Sequence, residues 1–280
     1  MAGGRLDRTS PLYTQCTHAM MKAINPFRYS LTTRFKNRHI RRFLKPQPGE
    51  RVLDVGSGVG YLCEVLAGRQ NGRNLFGVDV HFDSVRLSQQ MAPGTFVAAS
   101  ATALPFQDQV FDCINFADVI EHLPDGAAAL REMARVARPG ARVAVSTAAL
   151  EGLFSQTWIG RFLHEAHDGV QRHLRDGYRG PELAALLRAN GFEPVAMRYT
   201  NYCFTELLIG VAKIGYRLLR RRYTSQADAV AVSGSLLFQL NRFVVFPLGY
   251  LIGRLEEVVL APFIRGNCVI ILSYARDGSP

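Results

Sequence analysis

Val52-Leu-Asp-Val-Gly-Ser-Gly-Val-Gly-Tyr-Leu62 is the stretch on which the reading of this chain turns. A short apolar run carrying Asp54 passes through Gly56, Gly58 and Gly60 and enters a helical pattern at Tyr61. Glycine lets a backbone turn sharply and approach a ligand where a Cβ would collide. The start of the following helix presents N–H groups that have no partner within the helix. Two common nucleotide turns do not fit. A dinucleotide fingerprint wants a small residue in the third slot of G-x-G-x-x-G/A, and that slot holds Tyr61. A phosphate loop needs G-x-x-x-x-G-K-[ST], which is absent.

Outward from this turn, strand and helix patterns alternate. Strands are expected at Arg51–Val55, Asn74–Val80, Gly94–Ala98, Phe111–Phe116 and Ala141–Thr147. Helices are expected at Tyr61–Gly68, Phe82–Met91 and Gly126–Ala137, the last stopped by Arg138-Pro139-Gly140. After an irregular stretch, Pro181 and Gly191 bracket a helix over Glu182–Asn190, followed by strands at Phe192–Thr200 and Cys268–Ala275. Alternation of this kind predicts an α/β fold in three layers, a seven-stranded, mostly parallel sheet covered on both faces. Residues 12–44 read as N-terminal helices, and 201–266 form a long helical insertion before the last strand. The expected organisation is thus a 1–44 helical segment, a 45–200 core, a 201–266 insertion or lid, and a 267–280 strand and tail.

The chain has 280 residues, 48% hydrophobic and 20% charged, the balance of a folded globular protein, which excludes disorder and collagen-like repeats. No run of about 18 uncharged apolar residues is present, since Phe243 to Gly253 is closed by Arg242 and Arg254. The opening residues lack the apolar core of a signal peptide, so a cytoplasmic protein is expected. Five scattered cysteines without a C-x-x-C pair argue against a disulfide framework or zinc ribbon, and Cys113 and Cys268 read as small buried hydrophobes. The net charge of +10 calls for a polyanionic neighbour, nucleic acid or an anionic membrane. It concentrates in Arg34, Lys36, Arg38, Arg41, Arg42 and Lys45, and in Arg217 with Arg220–Arg222; each cluster reads as a solvated face or as a contact surface.

The D-x-G-x-G-x-G pattern resembles the S-adenosylmethionine-binding turn of class I methyltransferases, and the resemblance continues through the core. Val78-Asp79-Val80, Ala103-Leu-Pro-Phe-Gln-Asp108, Val119-Ile-Glu-His-Leu-Pro-Asp125 and Leu130-Arg-Glu-Met-Ala-Arg-Val-Ala-Arg-Pro-Gly140 follow in order. Roughly residues 45–150 are similar to the small-molecule group that includes ubiquinone- and menaquinone-type enzymes. The resemblance implies a Rossmann-like sheet whose last strand is antiparallel, with S-adenosylmethionine as cofactor. It implies that Asp54, Gly56, Ser57, Gly58 and Gly60 hold the cofactor and that Asp79, beside Val80, accepts from both ribose hydroxyls, for which a carboxylate is the natural partner. Adenine would meet Ser100 and Ala101, where relatives often carry an acid, and Phe116 would lie near the cofactor or within the core.

Methyl transfer from a sulfonium needs an in-line nucleophile, and a general base only when the acceptor carries a proton. Catalytic candidates are His122, His173 and Tyr178, in loops beyond the strand ends, where an open parallel sheet binds its ligands. His164, His167 and Asp168 lie nearby in sequence but lack the H-E-x-x-H spacing of a metal helix, so no metal is expected. A nucleic-acid acceptor is disfavoured, because aromatic residues do not interleave with the basic clusters. In the insertion, Leu207, Leu208, Val211, Ile214, Leu218 and Leu219 recur at helical spacing beside cations, followed by Phe243–Ile252. This predicts either a lid on the core or a basic amphipathic element lying on an anionic membrane or enclosing a lipid-like acceptor, which would place the protein peripherally on a membrane's inner face. The expected function is S-adenosylmethionine-dependent methylation of a small or lipid-like molecule at O, N or C. A nucleic-acid methyltransferase and a non-catalytic cofactor-binding partner protein are the alternatives, and the oligomeric state is left open.

Overall fold

The computed structural model describes residues 25–67, 72–152, 174–208 and 236–277. Its seven strands are β1 (Val52–Val55), β2 (Leu75–Asp79), β3 (Thr95–Ala98), β4 (Phe111–Ala117), β5 (Ala137–Ala148), β6 (Phe192–Thr200) and β7 (Cys268–Ala275). They form one sheet in the order β3-β2-β1-β4-β5-β7-β6. The first five pair in parallel, and β7 runs antiparallel between β5 and β6. Every residue of β1 is buried, as expected for a central strand covered on both faces. The register aligns Asp54 with Asn115 and Val55 with Phe116, so the carboxyl ends of β1 and β4 finish side by side.

The helices are α1 (Leu31–Leu44), α2 (Tyr61–Leu66), α3 (Phe82–Met91), α4 (Gly126–Val136) and α5 (Gly180–Ala189). One apolar core contains Leu130, Met133, Leu183 and Leu187 of α4 and α5; the other contains Ile40, Leu44, Leu62 and Val85 of α1, α2 and α3. Helix α4 ends one residue before the expected point, and Ala137 opens β5 opposite Phe111. Pro139 explains the break: it lacks an N–H and pushes Arg138 out of helical geometry.

Helix α1 overturns the reading of its cations as a simple solvated face. Ser30 caps it by accepting from the Thr33 N–H at 3.3 Å, and Phe35, Lys36, Asn37 and Ile40 are buried. The helix crosses one face of the sheet, with Lys36 ion-paired to Asp118 just beyond β4 and Leu44 near the other end, where its carbonyl accepts from the Cys113 thiol at 3.5 Å. Arg38 pairs with Glu257 at 2.9 Å. Only part of the cluster therefore faces water. The expected second cluster, Arg217 with Arg220–Arg222, lies outside the described residues.

From the insertion, a helical turn spans 203–208, and Leu236–Leu240, a π-turn at Asn241–Val245 and Phe246–Leu260 run on as one helix, α6. Pro247 cannot donate a backbone hydrogen bond, and the π-turn immediately before it absorbs that defect. Gly249 and Gly253 bring α6 close to α1: a Cβ at Gly249 would lie 2.9 Å from Leu31, and one at Gly253 would lie 2.6 Å from Phe35. Tyr250 stacks on Phe35 with ring centroids 5.2 Å apart. Buried Glu256 accepts from the Thr205 N–H and hydroxyl at 3.2 and 3.0 Å, joining the 203–208 turn to the same seam. Among the described residues no helix is long and apolar enough to cross a membrane.

Candidate active site

The glycine turn leaves β1 at Val55. The N–H groups of Gly56 and Ser57 both donate to the Val78 carbonyl, at 2.7 and 2.9 Å, tying the turn to β2. Gly56, Gly58 and Gly60 have φ of +75°, +52° and +76°, a region that disfavours side chains. The neighbours of two of them are protein. A Cβ on Gly56 would lie 2.1 Å from Val119 Cγ2, and one on Gly60 would lie 2.9 Å from Ala92 and 3.1 Å from Phe96. Close packing as well as backbone geometry thus demands glycine here. The Gly58 N–H points elsewhere and donates to Asp79 Oδ2 at 2.8 Å.

Asp79 also accepts from the His81 N–H at 2.9 Å through its other oxygen. The chain beyond it is apolar and open: Val80 is 68% exposed and Phe82 70%. A carboxylate that can accept from a diol, followed by an exposed apolar shelf suited to a flat base, fits the nucleoside half of S-adenosylmethionine. Asp54 is buried and accepts from Asn115 Nδ2 at 2.7 Å. Burial, with a smaller contribution from Asp79, pushes its carboxyl up to about 7, so a cationic group placed beside it would be welcome. The buried Ser57 hydroxyl has no protein partner. This donor set fits the cofactor.

The remaining cofactor-side candidates stand differently. The Ser100 hydroxyl is engaged within its own turn, 2.8 Å from Thr102 Oγ1 and 3.2 Å from the Thr102 N–H. Ala101 is buried beside it. Phe116 is wholly enclosed in the apolar core, between Val55 and Val145 in register.

Past β4, Asp118 holds φ of +55°, unusual for a residue with a side chain. Its N–H donates to the Ser146 carbonyl at 2.9 Å, and its carboxylate pairs with Lys36 from α1. Lys36 is 7% exposed at its side chain and Asp118 is 45% exposed, so the pair has one dry and one wet end. Burial would lower the Lys36 ammonium, but Asp118, Cys268 and Glu121 more than offset it and hold the group above its usual value. Val119, next in the chain, is the residue packed against Gly56. Asp118 therefore adjoins the glycine turn.

The turn Ile120–His122 follows, with the His122 N–H donating to the Val119 carbonyl at 3.0 Å. Glu121 is buried, one of its oxygens lacks a hydrogen-bond partner, and burial together with the charge of Asp118 raises its carboxyl to about 8. Its carbonyl accepts from the Leu174 and Arg175 N–H groups at 3.1 and 3.2 Å. That stitches the His122 turn to the segment carrying Tyr178. Tyr178 is buried under the Arg175 guanidinium, 4.0 Å above its ring, and burial raises its phenol above the usual value. His173, with His164, His167 and Asp168, lies outside the described residues. Lys36, Asp118 and Glu121 were not singled out from sequence. Asp118 and Glu121 carried a signal, as carboxylates just past a parallel strand; Lys36, hidden among arginines, carried none.

This fold, with its glycine turn and second-strand acid, is that of the class I S-adenosylmethionine-dependent methyltransferases. The chain matches the methyltransferase-domain family over residues 27–197, more than half its length, and belongs to that family. S-adenosylmethionine is the methyl donor. The chain is 32% identical over 171 residues to the demethylmenaquinone methyltransferase of Beutenbergia cavernae, covering 55% of this chain and 70% of that one. It is 26% identical over 217 residues to the ubiquinone biosynthesis O-methyltransferase of Bordetella avium, covering 72% and 84%. In fold it is similar to an S-adenosylmethionine-dependent methyltransferase of Thermotoga maritima, with TM-score 0.55, 15% identity and coverage of 90% and 92%.

Proposed function

We propose that this methyltransferase acts on a hydroxyl of a lipid-like small molecule, of the kind the names of its quinone-pathway relatives suggest, and does so at the inner face of a membrane. The observation that carries the reading is Asp118: a half-exposed carboxylate in left-handed geometry, pinned by buried Lys36, adjoining the residue packed on Gly56. Residues held in sparsely populated conformations at strand ends are often functional.

On the donor side, the turn from Gly56 through Ser57 and Gly58 to Gly60 would hold the amino-acid part, with buried Asp54 supplying counter-charge. Asp79 would take the ribose hydroxyls, and Val80, Ala101 and Ser100 would border the base. Ser100 serves through its backbone, since its hydroxyl is already engaged by Thr102. Phe116 acts only from beneath, as packing. When bound, the cofactor supplies an electrophilic methyl group. On the acceptor side, Asp118 accepts the hydrogen bond of the hydroxyl and takes its proton as the oxygen is alkylated, while Lys36 keeps the carboxylate oriented. A base of this kind contributes typically 10²–10⁴-fold. His122 and Tyr178 wall the acceptor side, and His173 belongs to the same loop region by sequence.

Calorimetry with S-adenosylhomocysteine and turnover on a soluble short-chain quinol or phenol test the two halves separately. Asp79→Ala should lose cofactor affinity. Asp118→Asn should keep it and lose about a hundredfold or more in kcat. Undiminished turnover by Asp118→Asn removes the base; product on RNA but on no small acceptor would turn the reading to nucleic acid.

A further inference from the structure

Helix α6 is built inside out for a protein in water. Its glycines, Tyr250 and buried Glu257 meet α1 and buried Glu256 meets the 203–208 turn, whereas a row of its large apolar side chains is exposed. Phe243 (66% exposed), Leu248 (58%), Leu251 (68%), Leu255 (65%) and Val258 (64%) recur at helical spacing along one side, and Phe263 (81%) extends the stripe past the helix end. Scattered exposed hydrophobes are ordinary, but a continuous stripe marks an interaction surface.

We propose that this face of α6 docks on an anionic lipid bilayer, lying in the plane of the headgroups. The charges select the partner. Arg242 sits 4.8 Å from the centroid of the exposed Phe243 ring, near one end of the stripe, and Arg265, half-exposed although it pairs with Glu151 at 3.0 Å, follows Phe263 at the other. The neighbouring α1 carries no acid, buried Glu256 is held by Thr205, and Glu257 is outnumbered by its two arginines, Arg38 and Arg254, so the ground beside the apolar strip carries more cations than acids. Amphipathic helices with cations beside the apolar face bind in this way, the cations adding electrostatic attraction to an anionic surface that salt screens. A second copy of the chain is a poorer fit. A helix of 25 residues (236–260) is about 37 Å long and about 10 Å wide, offering about 400 Å² per partner, half of the ~800 Å² usual in a stable interface. It would also bring like charges together.

The placement gives the contact a use. Gly249 meets Leu31, Gly253 meets Phe35 and Glu257 meets Arg38, so α6 runs parallel to α1. Lys36 marks the carboxyl-end side of the sheet, and the first half of α6 extends beyond Leu31 on that side. The docked face thus borders the edge of the sheet where the glycine turn and Asp118 lie. The inference deepens the lipid-like acceptor reading by naming the surface from which such an acceptor arrives, and its test is independent of turnover.

Flotation of the full chain is measured with phosphatidylcholine vesicles and with mixed phosphatidylcholine–phosphatidylglycerol vesicles, at low and high salt. Leu251→Glu/Leu255→Glu serves as the variant. The wild type should float with the anionic vesicles, weaken as salt rises, and bind neutral vesicles poorly; the variant should lose affinity on the order of a hundredfold. S-adenosylhomocysteine affinity and thermal midpoint, unchanged in the variant, show that it is folded. Turnover of a soluble acceptor should also persist, so loss of docking and failure of the methylation reading are separable. Equal flotation of the variant, or no anionic binding by the wild type, overturns the proposal. So does a wild-type dimer in light scattering that the same variant converts to monomer, because it assigns the face to a second copy.

Discussion

Gly56→Ala is the sharpest probe of how the glycine turn is held. An alanine methyl would sit 2.1 Å from Val119 Cγ2 on a backbone with φ of +75°. The left-handed conformation costs a non-glycine residue roughly 1–2 kcal/mol. Relieving the contact requires Val119 to move within a packed site, which costs about 1–3 kcal/mol. Together these predict a loss of about 2–5 kcal/mol, or a fall in Tm of about 5–15 °C for a domain of this size. Thermal unfolding of Gly56→Ala, Val119→Ala and the double variant separates the two terms. Val119→Ala removes the offending Cγ2, so the double variant should regain the contact term, leaving the conformational cost and a coupling of about 1–3 kcal/mol. Strict additivity would refute the argument, because Gly56 would then be required for something other than the approach of Val119. Asp118 neighbours Val119, so Gly56→Ala should also lower kcat more than Val119→Ala does.

The ion pair of Lys36 and Asp118 should respond asymmetrically. Lys36→Met removes a buried charge and fills similar volume, so stability should change by less than about 1 kcal/mol, whereas Asp118→Ala strands the ammonium and should cost about 2–3 kcal/mol after discounting for the exposed end; equal losses in urea melts would contradict this. Asp54 is raised to about 7, so its ionised form is disfavoured in the folded protein: its contribution is full below about pH 4, declines as pH rises to about 7, and is level above. Asp54→Asn should flatten that part of the stability–pH curve, by up to about 4 kcal/mol, and an unchanged slope in calorimetry would count against it. In the proposed donor role, S-adenosylhomocysteine should bind more tightly as pH rises through 7, with the dependence lost in Asp54→Asn. At the helix seam, Gly253→Val would drive a side chain into Phe35, 2.6 Å from a Cβ, and should weaken α6 packing by roughly 1–3 kcal/mol, read as faster hydrogen exchange in α6 and in α1.

Much of this molecule was legible beforehand, for local reasons. The β-strands, α3 and the Pro181 helix follow from periodicity and from glycine and proline punctuation, signals confined to a few neighbouring residues. The glycine turn and the acid at the end of β2 were legible for the same reason: a sharp bend needs glycine, and a strand end needs little else to be located. What escaped depends on contacts between distant segments. Lys36 meets Asp118 only because α1 crosses the sheet, and no spacing within Arg34–Lys45 distinguishes the residue that points inward. The close approach of Val119 to Gly56, and of Ala92 and Phe96 to Gly60, was likewise hidden, because these partners are set by the fold. Ser100 was expected beside adenine, and nothing in its local sequence pattern marks that a threonine two residues on engages its hydroxyl.

Helix α1 serves two neighbours. Leu31 and Phe35 fit against the glycines of α6, while Lys36, one position along, reaches Asp118. Engineering for solubility has to respect this. Excising the insertion would uncover Phe35 and deprive Arg38 and His39 of Glu257, slackening the strut that steadies Asp118. Recolouring the outward side chains of α6 with polar residues leaves that strut intact, and it is the safer route to a well-behaved sample that still turns over.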